Sequence, residues 1–415
     1  MESSAQLEAI NRATLTPPVR SALRSASAEV LDWQTTALPG GEGNPVSLGL
    51  YRISGTALDK GDALAWSMVL KMAQSPANVG AMDMGEGKDA THWNYWKREM
   101  LLYQSDLLDH LPQGLAAPRC YGVEERPGDI FWLWLEDIQD LSDGPWPLER
   151  YALAARHLGR FNGVYLAGCP LPSRSWLGVR LLDQWCRGLL AETPLFSDSG
   201  PRPRGWDHPL VRRIYPPPDA NPFLHMLAHR GRFLAALGGC PQALCHQDAY
   251  PTNLMASRGE NGEEVTVALD WAMAGIGPVG EELAQLAIGT LDRLPDVPAT
   301  DVDQVLFSGY LDGLRDSGWR GGALTVRFGY AASTALRIGP WLLWLLNEAF
   351  EKSADAAGPD ASAVERVIED QARGVRFVLD RAEEAWELLD AKGLAWTTPA
   401  GLTRSGMVLY RGQAR

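Results

Sequence analysis

The chain has 415 residues, a length that fits two lobes or domains better than one core. Hydrophobic residues make up 46% and charged residues 21%, as in an ordinary globular protein, and the formal net charge is -13. An acidic surface repels a phosphate backbone, so nucleic acid and anionic membranes are not expected partners, while a neutral or cationic small molecule is compatible.

The five cysteines are odd in number and form no Cys-x-x-Cys, which argues against disulfide scaffolding and zinc clusters and for a reducing compartment. Residues Met1 to Arg20 lack the apolar run of a secretory signal. The longest apolar stretch, Trp341 to Leu346, falls short of a membrane span. A cytoplasmic protein is expected.

In chain order, a turn-rich segment, Pro39 to Pro45, precedes a strand-like run at Leu48–Ile53, and a second strand is expected over Ala63–Met72. Gln74 to Ala90 has loop composition. Trp93, Trp96, Met100, Tyr103 and Leu107 recur at helical spacing and predict a helix over Trp93–Leu108. Cys120–Val123 and Ile130–Leu135 read as two more strands. After Asp140 helices dominate: Pro147–Gly163, Phe223–Leu237, Leu283–Leu291, Val302–Leu314, Leu324–Ile338, Trp341–Phe350 and Ala363–Leu389. Pro201–Pro222 has the composition of a surface excursion, and Pro340 can open a helix at its first turn. A strand-rich first third followed by a helical remainder predicts an α+β fold of two lobes, residues 1–138 and 139–415.

The chemistry concentrates in one island between about Gln242 and Gly280. Its first part is His246-x-Asp248-x-x-x-x-Asn253, and its second is the apolar strand Val265–Leu269 ending in Asp270-Trp271. A loop with one carboxylate and one amide, then a strand delivering a second carboxylate, is what phosphoryl transfer requires. Asp248 would orient the attacking hydroxyl and accept its proton, and Asn253 and Asp270 would hold magnesium on the phosphates. No Gly-x-x-x-x-Gly-Lys-Ser/Thr phosphate loop occurs.

His246 to Asn253, Asp270-Trp271, and the run from Gly275 to Glu282-Leu283-Ala284 resemble the aminoglycoside phosphotransferase and choline kinase family, whose fold is bilobal and protein-kinase-like. That family's usual form is His-Gly-Asp-x-x-x-x-Asn, a strand ending Ile-Asp-Trp/Phe, then Gly-Asp-Pro and Asp-Leu-Ala. Here Gln247 replaces the small residue, Tyr250 stands where many members carry His, and Glu282 replaces the Asp.

The resemblance implies ATP and Mg2+ as cofactors and a small-molecule hydroxyl as acceptor. It also implies a strand lysine paired with a helix glutamate, for which Lys71 and Glu99 are the candidates. Gly40, Gly41 and Gly43 would cover the phosphates, and the backbone at Glu136, Asp137 and Ile138 would meet adenine. His246 would support the catalytic loop. The acceptor would lie against the helical lobe, where Trp341, Trp344, Glu348 and Glu351 share a helical face beside Asn347, with Gln247, Tyr250 and Trp271 as further candidates. Two rivals stand beside this reading: a pseudokinase-like nucleotide-binding module, and a metal-dependent hydrolase using His246, Asp248 and Asp270, with His225 and His229 as the other histidines to consider.

Overall fold

The structure is a computed structural model that describes residues 2–41, 44, 46–79, 89–142, 144–193, 204–259, 261–355 and 361–391. Its first part is a five-stranded antiparallel sheet in the order β1-β2-β3-β6-β5. The strands are β1 (Glu29–Leu38), β2 (Ser47–Asp59), β3 (Asp62–Gln74), β5 (Cys120–Arg126) and β6 (Ile130–Glu136). Lys60 and Gly61, at φ +52° and +98°, make the two-residue turn that joins β2 to β3. The side-chain period of two then sorts β3: Trp66, Met68, Leu70 and Met72 point into the core, so Lys71 points out of the other face.

Two helices ahead of the sheet, α1 (Glu2–Glu8) and α2 (Arg12–Leu23), cover its core face. Leu15 and Val19 pack there with Ile53, Met68, Trp132 and Trp134, and Gln6 accepts a hydrogen bond from the Trp132 indole at 3.1 Å. Asn11 caps α2 by accepting from the Ala13 and Thr14 amides. Neither helix, nor β1, shows in the sequence pattern: α2 carries Pro17 and Pro18, and β1 is mostly exposed, without clean alternation.

The helix expected over Trp93–Leu108 is only α3 (Arg98–Tyr103). The fully buried Arg98 guanidinium donates to the carbonyls of His92 and Trp93, which holds the approach to α3 in turns. Leu102, together with Leu115 of β4 (Leu115–Ala116), belongs to the second, larger core.

That core is built from α4 (Leu148–Leu166), α5 (Leu181–Ala191), α6 (Val211–Ile214), α7 (Pro222–Ala228), α8 (Arg230–Gly239), α9 (Leu283–Arg293), α10 (Ala299–Asp316), α11 (Ala323–Asp355) and α12 (Ala361–Asp390). Two small sheets carry the island. One joins β4, β10 (Glu264–Ala268) and β9 (Leu254–Arg258); the other joins β7 (Gly178–Val179), β11 (Gly275–Pro278) and β8 (Gln242–Cys245). Pro201–Pro222 is more than a surface excursion, because Trp206, Val211 and Tyr215 are buried in the helical core. The helix expected over Phe223–Leu237 breaks at His229 into α7 and α8.

Pro340 does not open a helix: α11 runs through it. Proline lacks an N–H, so the carbonyl four residues back loses its helical donor. Here the Leu336 carbonyl accepts from Cys186 Sγ at 2.9 Å, and the Arg337 carbonyl accepts from the Trp185 indole at 2.9 Å. Helix α5 thereby satisfies the interrupted turn.

Helices α4 and α10 cross at glycines. A methyl group on Gly313 would sit 1.9 Å from the Arg156 carbonyl oxygen, and one on Gly159 would sit 2.2 Å from that of Tyr310. We expect Gly313→Ala to lower unfolding free energy by about 1–3 kcal/mol in urea titration, since backbone must move apart to admit it.

Candidate active site

Lys71 on β3 is the point where three elements meet. Its ammonium lies 2.6 Å from Glu99 Oε2 on α3 and 2.7 Å from Asp270 Oδ1 after β10. Burial works against the charge of Lys71, but Asp270 and Glu99 outweigh it and raise its pKa. Burial likewise opposes an ionised Asp270, and the adjacent Lys71 holds its pKa below the usual value. Glu99 also accepts from the Trp271 amide at 3.2 Å, and Arg98 donates to the carbonyls of Trp176 and Ala272. Thus α3 is fastened to the end of the island strand by two consecutive residues.

Opposite stands Asp248, whose side chain is 27% exposed, enough to meet a small molecule. Asn253 Nδ2 donates to Asp248 Oδ2 at 2.9 Å and to the Asp248 carbonyl at 3.0 Å. Gln285 Nε2 donates to Asp248 Oδ1 at 3.1 Å, and Arg337 Nη2 lies 3.7 Å from the same oxygen. Burial pushes the Asp248 carboxyl up to about 6, with Arg337 restraining the rise and Asp270 adding to it.

Behind this loop His246 is a buried tie. Its Nε2 pairs with the Leu269 carbonyl at 2.8 Å, and the Asp248 amide donates to its Nδ1 at 3.2 Å. Those partners assign the neutral tautomer with hydrogen on Nε2, and burial lowers its pKa in agreement. With both nitrogens engaged and the ring packed on Trp271 at 4.5 Å, His246 has no lone pair for a metal. His229 sits at the break between α7 and α8, where its Nδ1 pairs with the His225 carbonyl. Among the described residues no group of three or more His, Cys, Asp or Glu could hold a metal ion. These placements weigh against the hydrolase reading.

Glu282 holds the loop from below: its carboxylate accepts from the His246 amide at 2.8 Å and the Gln247 amide at 2.7 Å. Gln247 itself takes φ +63°, a left-handed conformation that glycine adopts without strain.

The other expected positions fall as follows. Gly40 and Gly41 have φ +128° and +76° in the β1–β2 connection, and Gly43 lies outside the described residues. Glu136 ends β6 and pairs with Arg119 at 2.6 Å. Asp137 accepts from Arg52 at 2.8 Å and Ser67 at 2.6 Å, which fixes the segment leading to Ile138 against β2 and β3.

Trp341 and Trp344 stack with centroids 4.9 Å apart, and Trp341 is 38% exposed. Glu348 is partly exposed and lies 3.4 Å from Lys352, and Glu351 is exposed. Packing encloses three of the acceptor candidates: Trp271 is 1% exposed and spends its indole N–H on the Ala268 carbonyl, Gln247 is 2% exposed, and Asn347 is fully buried. Tyr250 is partly exposed, with its hydroxyl bonded to Asp292 at 2.7 Å. Sequence reasoning passed over Arg98, Gln285 and Arg337. Spacing gave no signal for them, because each acts on a partner far away in sequence.

A strand lysine bridged to a helix glutamate and a strand-end aspartate, facing an Asp–Asn loop, on a sheet joined to a helical body, defines a protein-kinase-like phosphotransferase. The model of the phosphotransferase enzyme family matches residues 95–323, more than half of the chain, and the protein belongs to that family. No curated protein matches it. Among solved structures it is similar to an aminoglycoside phosphotransferase from Alicyclobacillus acidocaldarius, at 12% identity over 87% of this chain and 92% of that one, with a TM-score of 0.48. It is also similar to a Plasmodium vivax ethanolamine kinase (11% identity, 84% and 83% covered, TM-score 0.42). A third is an amicoumacin kinase in complex with AMP-PNP and Ca2+ (15%, 92% and 96%, TM-score 0.42).

Glu282→Ala would orphan two buried amides. We expect it to cost about 2–6 kcal/mol of stability at roughly 1–3 kcal/mol per donor, measurable by denaturant unfolding.

Proposed function

We propose that this phosphotransferase moves the γ-phosphoryl group of ATP to a hydroxyl of a small molecule: an antibiotic, aminoglycoside, amino sugar or sugar. The observation that carries the reading is the convergence of Lys71, Glu99 and Asp270 on one side with Asp248 and Asn253 on the other. In this reading residues 1–138 hold the nucleotide, residues 139–415 hold the catalytic loop and acceptor, and the reaction takes place in the cytoplasm. No described helix is long and apolar enough to cross a membrane.

Asp248 accepts the proton of the acceptor hydroxyl as its oxygen bonds to the γ-phosphorus. The bond to the β–γ bridging oxygen breaks, and ADP leaves with that electron pair. Lys71, held by Glu99, steadies the phosphates. The donor set suits a hard divalent cation: Asp270 is ionised and 42% exposed, and Asn253 uses its amide nitrogen on Asp248, which leaves the carbonyl oxygen as its donor to metal. Magnesium, when bound there, would neutralise phosphate charge. Gly40, Gly41 and Gly43 would cover the phosphates, and backbone at Glu136 to Ile138 would meet the adenine.

The acceptor surface follows α11. Arg337, Trp341, Trp344 and Glu348 recur at helical spacing, so one face leads from Asp248 past the stacked indoles to Glu348, about 16 Å over three turns. Indoles stack on sugar rings, and Glu348 and Glu351 suit hydroxyl or ammonium groups.

An ATP-consumption screen against aminoglycosides, other antibiotics, amino sugars and amino alcohols is the primary test. Turnover with none of them would favour the nucleotide-binding module. Asp248→Ala should abolish transfer while Mg-ATP binding by calorimetry stays near the wild-type value; retained turnover would remove Asp248 from its role. Asp270→Asn should weaken nucleotide binding only when magnesium is present. Trp344→Ala should raise the acceptor KM about 5- to 30-fold at unchanged ATP KM, the loss of roughly 1–2 kcal/mol of ring stacking.

A further inference from the structure

Arg337 is 2% exposed, and burying a guanidinium is costly unless opposite charge compensates it. Its Nη2 lies 3.7 Å from Asp248 Oδ1, while Nε and Nη1 make no hydrogen bond within the described residues. It is therefore held by charge and packing rather than by a two-pronged carboxylate bridge. The carboxylates of Asp248, Glu281 and Glu282 act on it, and the Trp185 ring lies 5.5 Å from its guanidinium carbon.

The backbone is held at the same point. Pro340 removes the helical donor to the Leu336 carbonyl, and α5 supplies Cys186 Sγ to that carbonyl and the Trp185 indole to the next. A proline-interrupted turn, closed by a neighbouring helix, thus fixes the residue beside the loop carboxylate. On the other sides of Asp248 stand the neutral donors Gln285 and Asn253, the Asp270 carboxylate also acts on it, and Arg337 is a cation that faces it.

We propose that Arg337 is a positioning residue for the phosphoryl-transfer base: its buried guanidinium, set by the Pro340–Trp185–Cys186 latch, keeps the Asp248 carboxylate aimed at the acceptor hydroxyl. The proposal rests on the kinase reading above. It makes Arg337 a partner of the carboxylate and gives it no contact with the nucleotide. Lysine can supply the charge at this position but lacks the planar fork.

Two measurements test it. The first needs no turnover. Removing the cation leaves the partly buried Asp248 carboxylate without its countercharge, so Arg337→Met should lower Tm, and adding Asp248→Asn in that background should raise it again. In the wild-type background Asp248→Asn should instead lower Tm or leave it unchanged. Equal effects of Asp248→Asn in both backgrounds would mean that the two side chains are not coupled, and would overturn the proposal.

The second uses whichever compound of the acceptor panel the wild type phosphorylates. Arg337→Met should reduce kcat about 100-fold, the scale of a misplaced catalytic group, with ATP KM within about two-fold, and Arg337→Lys should recover part of the loss. An unchanged kcat in Arg337→Met, or a loss that appears wholly in ATP KM, would overturn it. If the wild type consumes no ATP with any panel compound, the kinase reading fails, and the thermal comparison still decides whether Arg337 and Asp248 act together.

Discussion

One ammonium group organises the molecule. Lys71 is aimed away from its sheet's core by the alternation of β3, and it meets a carboxylate from α3 and another from the end of β10. Each contact ties a different part of the chain to the sheet. Because Glu99 also receives the Trp271 amide, and Arg98 takes the Ala272 carbonyl beside it and the Trp176 carbonyl ahead of β7, the short α3 becomes a bracket between the sheet and the island. A six-residue helix has little stability of its own. Its side chains hold it in place, and the first one it presents, Arg98, is fully buried.

Much of this was legible in the sequence because chemistry at fixed spacing survives folding. The Asp248–Asn253 loop and the apolar strand ending in Asp270 are legible in the residues themselves, Lys71 and Glu99 only through the family resemblance, and the α+β architecture follows from the order of strands and helices. What escaped notice was set by contacts between distant residues. Helix α2 carries two prolines and is stabilised by an asparagine cap and by burying Leu15 and Val19 against the sheet. The apolar spacing from Trp93 to Leu107 suggested a long helix, but Arg98 collects the carbonyls that such a helix would need for itself. At Pro340, local rules favoured a boundary, and two side chains of α5 overrode them.

Two of the island's departures from the family form, Gln247 and Glu282, are buried. Gln247 holds a backbone conformation that suits glycine, yet its side chain lies inside the protein with no hydrogen bond within the described residues. Glu281 is similarly enclosed, and burial raises its carboxyl to about 8. Around Asp248 there is thus a layer of polar groups that costs the fold stability, a condition found more often near functional sites than elsewhere. Glu282, longer by one methylene than the aspartate usual at its position, still reaches both loop amides.

The interruption at Pro340 divides α11 into two parts with different freedom to change. The half that ends in Arg337 is enclosed by α5 and the island, so substitutions there disturb the carboxylate that the loop presents. The half that begins with Trp341 is partly open to solvent and has fewer obligations to the interior. A substitution in the outer half changes a surface, while one in the inner half changes the packing around Arg337. A helix interrupted at this point joins a buried anchor to a solvent-facing arm.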